Sequence, residues 1–364
     1  MNEKVGSKGY WRDNNIALAL TTMGMLPKRP AAFFTLDGDW ICEFLDVSFK
    51  EYYTDCDFQI ECKKKAGEAI REALGMSMPT YVDFGTVMDV SIFGAELTFM
   101  ENAAPSNEPV IDSPAEIPAL VEKMDGTTDL MGLGLIPSFF EWRDKYKEAF
   151  GKMPIAGLSI KGPATMAGQI CGMTQVMMYL MTNPAEMTQL IKCIGRTMIR
   201  YVRQIRRKCN APGVSLAMAN DLAGLISPDM YVQFFQPVEK RIFQALCPIK
   251  KLRYYHADSR MNHQIANLKA HSLGMVNFGP SLEIEEIVEK IPGPIIFGHV
   301  PPVEILGNGT PQQVLECGIK NYRDAYRLKN RIVLSSAGSV NPGTSFENLK
   351  ALLQAPVEFA KLNS

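Results

Sequence analysis

The chain lacks the signatures of the commonest catalytic machines. It has no G-x-S-x-G nucleophile elbow, no phosphate-binding P-loop, no H-E-x-x-H metalloprotease motif and no G-x-G-x-x-G opening a helix after a strand. Charge of one sign is also lacking: Lys and Arg number 38 against 39 for Asp and Glu, so no global field draws the protein to nucleic acid or to an acidic membrane. The densest basic run, RQIRRK at 203–208, reads as a solvated helix C-terminus, where cations suit the dipole. No apolar run approaches the roughly 18 residues of a membrane span, and the opening MNEKVGSKGYWRD is too polar for a signal peptide. Eight cysteines, at 42, 56, 62, 171, 193, 209, 247 and 317, show no C-x-x-C and no paired spacing. Several lie in apolar contexts, where Cys acts as a small core residue. The expectation is a soluble cytoplasmic protein without disulfides, and a chain of 364 residues buries enough surface to stand without them.

Short apolar runs alternate with longer helical segments. The runs are PAAFFTLD (30–37), PTYVDFG (79–85), PIAGLSI (154–160), GVSLAMA (213–219), LRYYHA (252–257), SLGMVNF (272–278), PIIFGHV (294–300) and RIVLSS (331–336). Their near-continuous apolar character suits strands buried on both faces. Helix starts are expected at Asn183-Pro184, Ser227-Pro228, Thr310-Pro311 with Gln313, and Thr344 with Glu347. Residues 96–111 read as a hairpin-like excursion. Eight parallel strands with intervening helices predict an α/β fold, a single (β/α)8 TIM-type barrel with an elaborated N-terminal region. The domain expectation is an N-terminal extension over 1–29 and a barrel over 30–364.

In such barrels chemistry sits at the C-terminal ends of the strands. Those ends carry Asp37, Asp83, Gly162-Pro163, Asn220-Asp221, His256 with Asp258, Asn277, His299 and Ser335 to Ser339. Only four histidines occur, and three fall within 252–280. Asp258 has a plain alternative as the cap of a following helix. His263 and His271 read as surface or cap residues. Asn277 stands between Val276 and Phe278, where an amide needs a partner. A carboxylate-rich zinc site from Asp221, His256 and Asp258 is left open, since zinc sites more usually combine His with Cys.

In order, Gly162-Pro163-Ala164-Thr165, Asp221, Ser227-Pro228-Asp229-Met230-Tyr231, Phe235-Gln236-Pro237, His256-Ala257-Asp258, Gly298-His299 with Pro302-Val303, Gly309-Thr310-Pro311, Pro342-Gly343-Thr344 and Glu347-Asn348 resemble the motif series of the uroporphyrinogen decarboxylase superfamily. The resemblance covers roughly residues 30 to 360. True decarboxylases of that superfamily hold a four-carboxylate tetrapyrrole with an arginine-rich segment, and PKRPAAFFTLDGDWICEF carries only Lys28 and Arg29. The resemblance therefore implies the other branch, corrinoid-dependent methyltransferases, with cobalamin or another corrinoid carried on a partner protein. Thiol-methylating members have zinc held by H-x-C and a later Cys. Here Asp258 and Gly338 stand at the two Cys positions, which puts a thiol acceptor in doubt. Demethylation of a small methoxylated compound, aromatic ones included, is the function expected. His256, Asp258 and Asp221 are its candidate catalytic residues; Asn220, Tyr255, Asn277, His299, Asp83 and Phe84 are candidates for holding substrate. A decarboxylase and a non-catalytic binder of a corrinoid or tetrapyrrole protein are the alternatives. Partners expected are a corrinoid protein and a small methyl donor, with self-association left open.

Overall fold

The computed structural model describes residues 4–154, 159–211 and 213–363. In chain order its strands are β1 (Ala31–Ala32), β2 (Leu97–Thr98), β3 (Ser106–Asn107), β4 (Ser159–Lys161), β5 (Leu216–Ala219), β6 (Arg253–Ala257), β7 (Met275–Phe278), β8 (Ile295–Val300) and β9 (Ile332–Ser336). Seven of them form one parallel sheet in the order β1-β9-β8-β7-β6-β5-β4, and β2 and β3 pair antiparallel as the expected hairpin. Parallel neighbours need crossovers, and helices supply them, as the alternation of apolar runs and amphipathic segments requires. The expected run at 154–160 lies partly outside the described residues.

The expected strand at 79–85 pairs with no neighbour among the described residues. Side chains of the helix Cys56–Leu74 take its backbone groups instead. Gln59 donates to the Asp83 carbonyl (2.7 Å) and accepts from the Asp83 N–H (3.1 Å), while Lys63 donates to the Tyr81 carbonyl (2.8 Å). The segment nonetheless fills the gap between β1 and β4. Gly38, just past β1, lies against Asp83, and Lys161 of β4 donates to the Thr86 carbonyl. The result is a (β/α)8 barrel in which the second strand position is held by side chains.

The N-terminal helix Lys8–Thr22 packs on this barrel: Asn14 both donates to the Ala32 carbonyl (2.9 Å) and accepts from its N–H (3.0 Å). Ser227 caps its helix, and Thr310 with Gln313 forms a full capping box. Asn183 makes no side-chain cap, and Pro184 at the first helical position with Glu186 in the first turn marks that start. The last helix is capped by Ser345 rather than Thr344, whose hydroxyl turns inward to the Asn341 carbonyl at 2.8 Å. The basic run ends its helix at Lys208 as expected, with Arg206 reaching back to the carbonyls of Leu246 and Ser215.

Candidate functional site

Strand alternation decides which side chains meet. On β6, Tyr254 and His256 face the barrel interior, while the fully buried Tyr255 and Ala257 face the helices. Opposite Tyr254 and His256 on β5 stand Ala217 and Ala219, whose small side chains leave space. That space is a cavity of about 540 Å³, lined among others by Phe33, Tyr254, His256, Asn277, Phe297 and Ser335.

At its mouth, neighbouring strands place His256 and Asn277 side by side. The Asn277 amide donates to the carbonyls of Phe297 (2.6 Å) and Ser336 (2.9 Å), so its Oδ1 is left to accept. His256 Nδ1 lies 2.7 Å from that oxygen and must carry the hydrogen. Nε2 then points away from the strand, 3.3 Å from Asp258 Oδ1. No helix begins at Asp258, so the capping alternative fails. Its backbone N–H donates instead to Asp221 Oδ1 at 2.6 Å. Gly338 completes the arrangement: at φ +108° it has no side chain, and a Cβ there would stand 2.3 Å from Asp258 Oδ1. Burial disfavours the His256 imidazolium. The hydrogen bond and charge of Asp258, the charge of Asp221 and the bond to Asn277 outweigh it, and the pKa is raised above the ordinary 6.5.

One donor atom each from Asp221, His256 and Asp258 lies within 4.8 Å of the others. With Asn277 orienting the ring from behind, this set fits a divalent ion held by nitrogen and oxygen. It does not fit the thiolate-bound zinc of H-x-C sites, since no sulfur stands at 258 or 338.

Several expected substrate contacts are turned elsewhere. Asn220 is fully buried behind the cavity wall, donating to Glu239 Oε1 (2.7 Å) and the Tyr255 hydroxyl (3.1 Å) and accepting from the Thr165 N–H (3.0 Å). Gly162 allows this, because a Cβ there would come within 2.2 Å of the amide carbon. Asn220 and Tyr255 therefore brace the wall. His299 shares the rim but reaches the Leu282 carbonyl, where burial lowers its pKa. Asp83 accepts from the Gly85 N–H (2.9 Å) beside Gly38, and Phe84 packs on Trp142 (centroids 4.6 Å). Neither lines the cavity. His271, expected at the surface, is fully buried and lies 3.0 Å from both Glu239 and the Tyr231 hydroxyl. Sequence reasoning passed over Tyr254 and Phe297, although their even spacing from His256 and His299 was the available signal. It also passed over Lys161, whose ammonium feels the charges of Asp89 and Asp221 at the rim.

A barrel with an acid–histidine cluster at the C-terminal ends of its strands has its polar groups where barrel enzymes carry their chemistry. Within that class the chain belongs to the uroporphyrinogen decarboxylase (URO-D) family, whose sequence pattern matches residues 79–359. A methylcobamide:CoM methyltransferase, MtbA of Methanosarcina acetivorans, is 23% identical over 255 residues, spanning 68% of this chain and 71% of that protein. A methyltransferase from Methanosarcina mazei shares the fold with a TM-score of 0.71 at 18% identity, covering 98% of this chain and 99% of that one. The chain is thus related to methyltransferases of its family. Among the described residues no helix is long and apolar enough to cross a membrane.

Proposed function

We propose that the protein removes the methyl group of a small methoxylated compound and passes it to a corrinoid carried on a partner protein. The observation that carries this reading is the fixed imidazole: with Nδ1 held by Asn277, Nε2 is the one ring atom free to exchange a proton at the cavity mouth. The carbon–oxygen bond of an ether breaks with its electron pair going to oxygen, so that oxygen needs a proton or a cation beside it. His256 in its imidazolium form supplies the proton, and Asp258 with Asp221 keeps that form populated. The corrinoid, when docked, supplies the methyl acceptor. Its size keeps it outside the barrel, so the donor lies deeper, with its methyl toward the rim.

Two observations favour this reading over a tetrapyrrole decarboxylase and over a thiol methyltransferase. No arginine or lysine lines the cavity, which leaves nothing to pair the carboxylates of a tetrapyrrole. Asp258 and Gly338 replace the thiolates that a thiol-activating zinc would need. The donor set of Asp221, His256 and Asp258 supports a second reading, in which a divalent ion polarises the leaving oxygen in place of the proton. The deciding experiment offers methoxylated compounds to the purified protein with a cob(I)alamin-bearing protein and follows methyl transfer. Release of carbon dioxide from a carboxylated substrate would favour a decarboxylase. Tight corrinoid-protein binding without turnover would favour a carrier.

A further inference from the structure

The cavity beneath His256 has a composition of its own. Among its lining residues there is no Lys, Arg, Asp or Glu. Aromatic and thioether groups are prominent in that lining: Phe33, Tyr254, Met275 and Phe297. Tyr254 and Phe297 meet edge to face, with centroids 6.0 Å apart at 79°. That arrangement presents a ring face and a ring edge to whatever lies between strand β5 and these side chains. On β5 the facing residues are Ala217 and Ala219, so a flat ligand meets no bulk there.

Depth adds a second constraint. Tyr254 precedes His256 by two residues on the same strand, which sets it about 7 Å deeper along the barrel. Tyr254 therefore lies on the inner side of a ring whose outer substituent meets His256. The Tyr254 hydroxyl makes no hydrogen bond to any described residue, although its ring lines the cavity. Half-buried, with its ring on the cavity wall, Tyr254 can offer that hydroxyl to a ligand without giving up a protein partner.

We infer that the cavity takes an electrically neutral aromatic methyl ether, its ether oxygen at His256 and a hydroxyl or carbonyl at the far side of the ring bonded to Tyr254. The inference rests on the proposed methyl transfer for which end faces the rim; the selection for neutral ligands follows from the lining itself. A carboxylate on the far side of the ring would be desolvated with no lysine or arginine among the lining residues to meet it. A quaternary ammonium would find aromatic faces but no carboxylate among the lining residues to replace its hydration. A neutral ring loses nothing by leaving water.

Calorimetry on the full-length protein with 4-methoxyphenol, anisole, 4-methoxybenzoate and tetramethylammonium at neutral pH tests this. The expected order places 4-methoxyphenol first, with 4-methoxybenzoate and tetramethylammonium at least about tenfold weaker. Tyr254→Phe should weaken 4-methoxyphenol by about tenfold and leave anisole unchanged. The inference is overturned if either ion binds as tightly as the phenol, if the phenol does not bind, or if Tyr254→Phe weakens both neutral ligands equally. Binding in the expected order without methyl transfer would uphold this account of the cavity while removing the proposed reaction. The wild-type ranking needs no variant, so a folding failure of Tyr254→Phe would not shield the inference.

Discussion

Asn277 and His256 stand in register on adjacent strands, and the amide of one fixes which nitrogen of the other carries a proton. Both amide hydrogens of Asn277 are engaged by main-chain carbonyls of Phe297 and Ser336, so the amide cannot turn over without losing both bonds. An asparagine in an apolar strand is thereby explained: it links β7 to β8 and β9 and aims the imidazole.

Asn277→Ala should therefore do two separable things. Stability should fall by about 1–3 kcal/mol, because the buried Ser336 carbonyl and the half-buried Phe297 carbonyl lose their donor. Methyl transfer by the folded fraction should fall as well, since His256 gains a second tautomer and a second ring orientation. Denaturant melts paired with single-turnover rates check this. A stability loss with unchanged turnover per folded molecule would show that Asn277 serves the sheet alone.

His256→Ala carries the larger catalytic expectation. Acid assistance contributes roughly 10²–10⁴-fold, so the transfer rate should drop by that order while donor binding changes little. The loss should shrink for donors with better leaving groups, such as a phenol of low pKa. Equal losses across leaving groups would mean that the ring only positions the donor.

The pH dependence has a definite sign. The His256 pKa is raised above 6.5, so the acid form that protonates the leaving oxygen persists past that value and disappears as pH rises through the raised one. Turnover should fall on that alkaline side. Stability should move with it: the pair with Asp258 contributes fully below the unfolded-state pKa and is lost as pH rises through the folded value. A turnover profile that climbs through this window would assign His256 the opposite role, that of a base.

Much of this was legible in the sequence, and the exceptions are instructive. Strands β5 to β9 fall inside the apolar runs because a strand buried on both faces leaves a continuous signature. That same continuity hides which face each residue takes. Asn220 and Tyr255 stand at strand ends like His256, yet face the helices, and only the alternation along the strand tells them apart. Residues 79–85 mislead for a different reason. Their backbone groups are satisfied by Gln59 and Lys63, contacts that no local pattern announces. His271 follows Lys269 in a stretch that reads as solvent-facing, but its partners Tyr231 and Glu239 lie more than thirty residues upstream. The rim motif of His256 and Asp258 was visible; the Asn277 tautomer lock required the register.

A chelation experiment separates the proton from a metal at this rim. If His256 acts as an acid, dialysis against a strong chelator should leave methyl transfer unchanged, and elemental analysis should find less than one divalent ion per chain. If an ion held by Asp221, His256 and Asp258 does the work, chelation should abolish transfer and a divalent metal should restore it.

Gly338 offers the last and most local test. Its φ of +108° is a conformation that other residues rarely adopt, and the space its missing side chain leaves is taken by the Asp258 carboxylate. Gly338→Ala sets a methyl 2.3 Å from Asp258 Oδ1, so either the carboxylate swings away or the loop shifts. The backbone strain alone should cost about 1–3 kcal/mol of stability. Displacing Asp258 should also lower the His256 pKa toward its ordinary value, moving the alkaline fall in turnover to lower pH. Asp258→Asn removes the same charge without touching the loop and should shift the profile in the same direction. If Gly338→Ala destabilises the protein while the profile stays in place, Asp258 has another route to His256, and the glycine is there for the turn rather than for the acid.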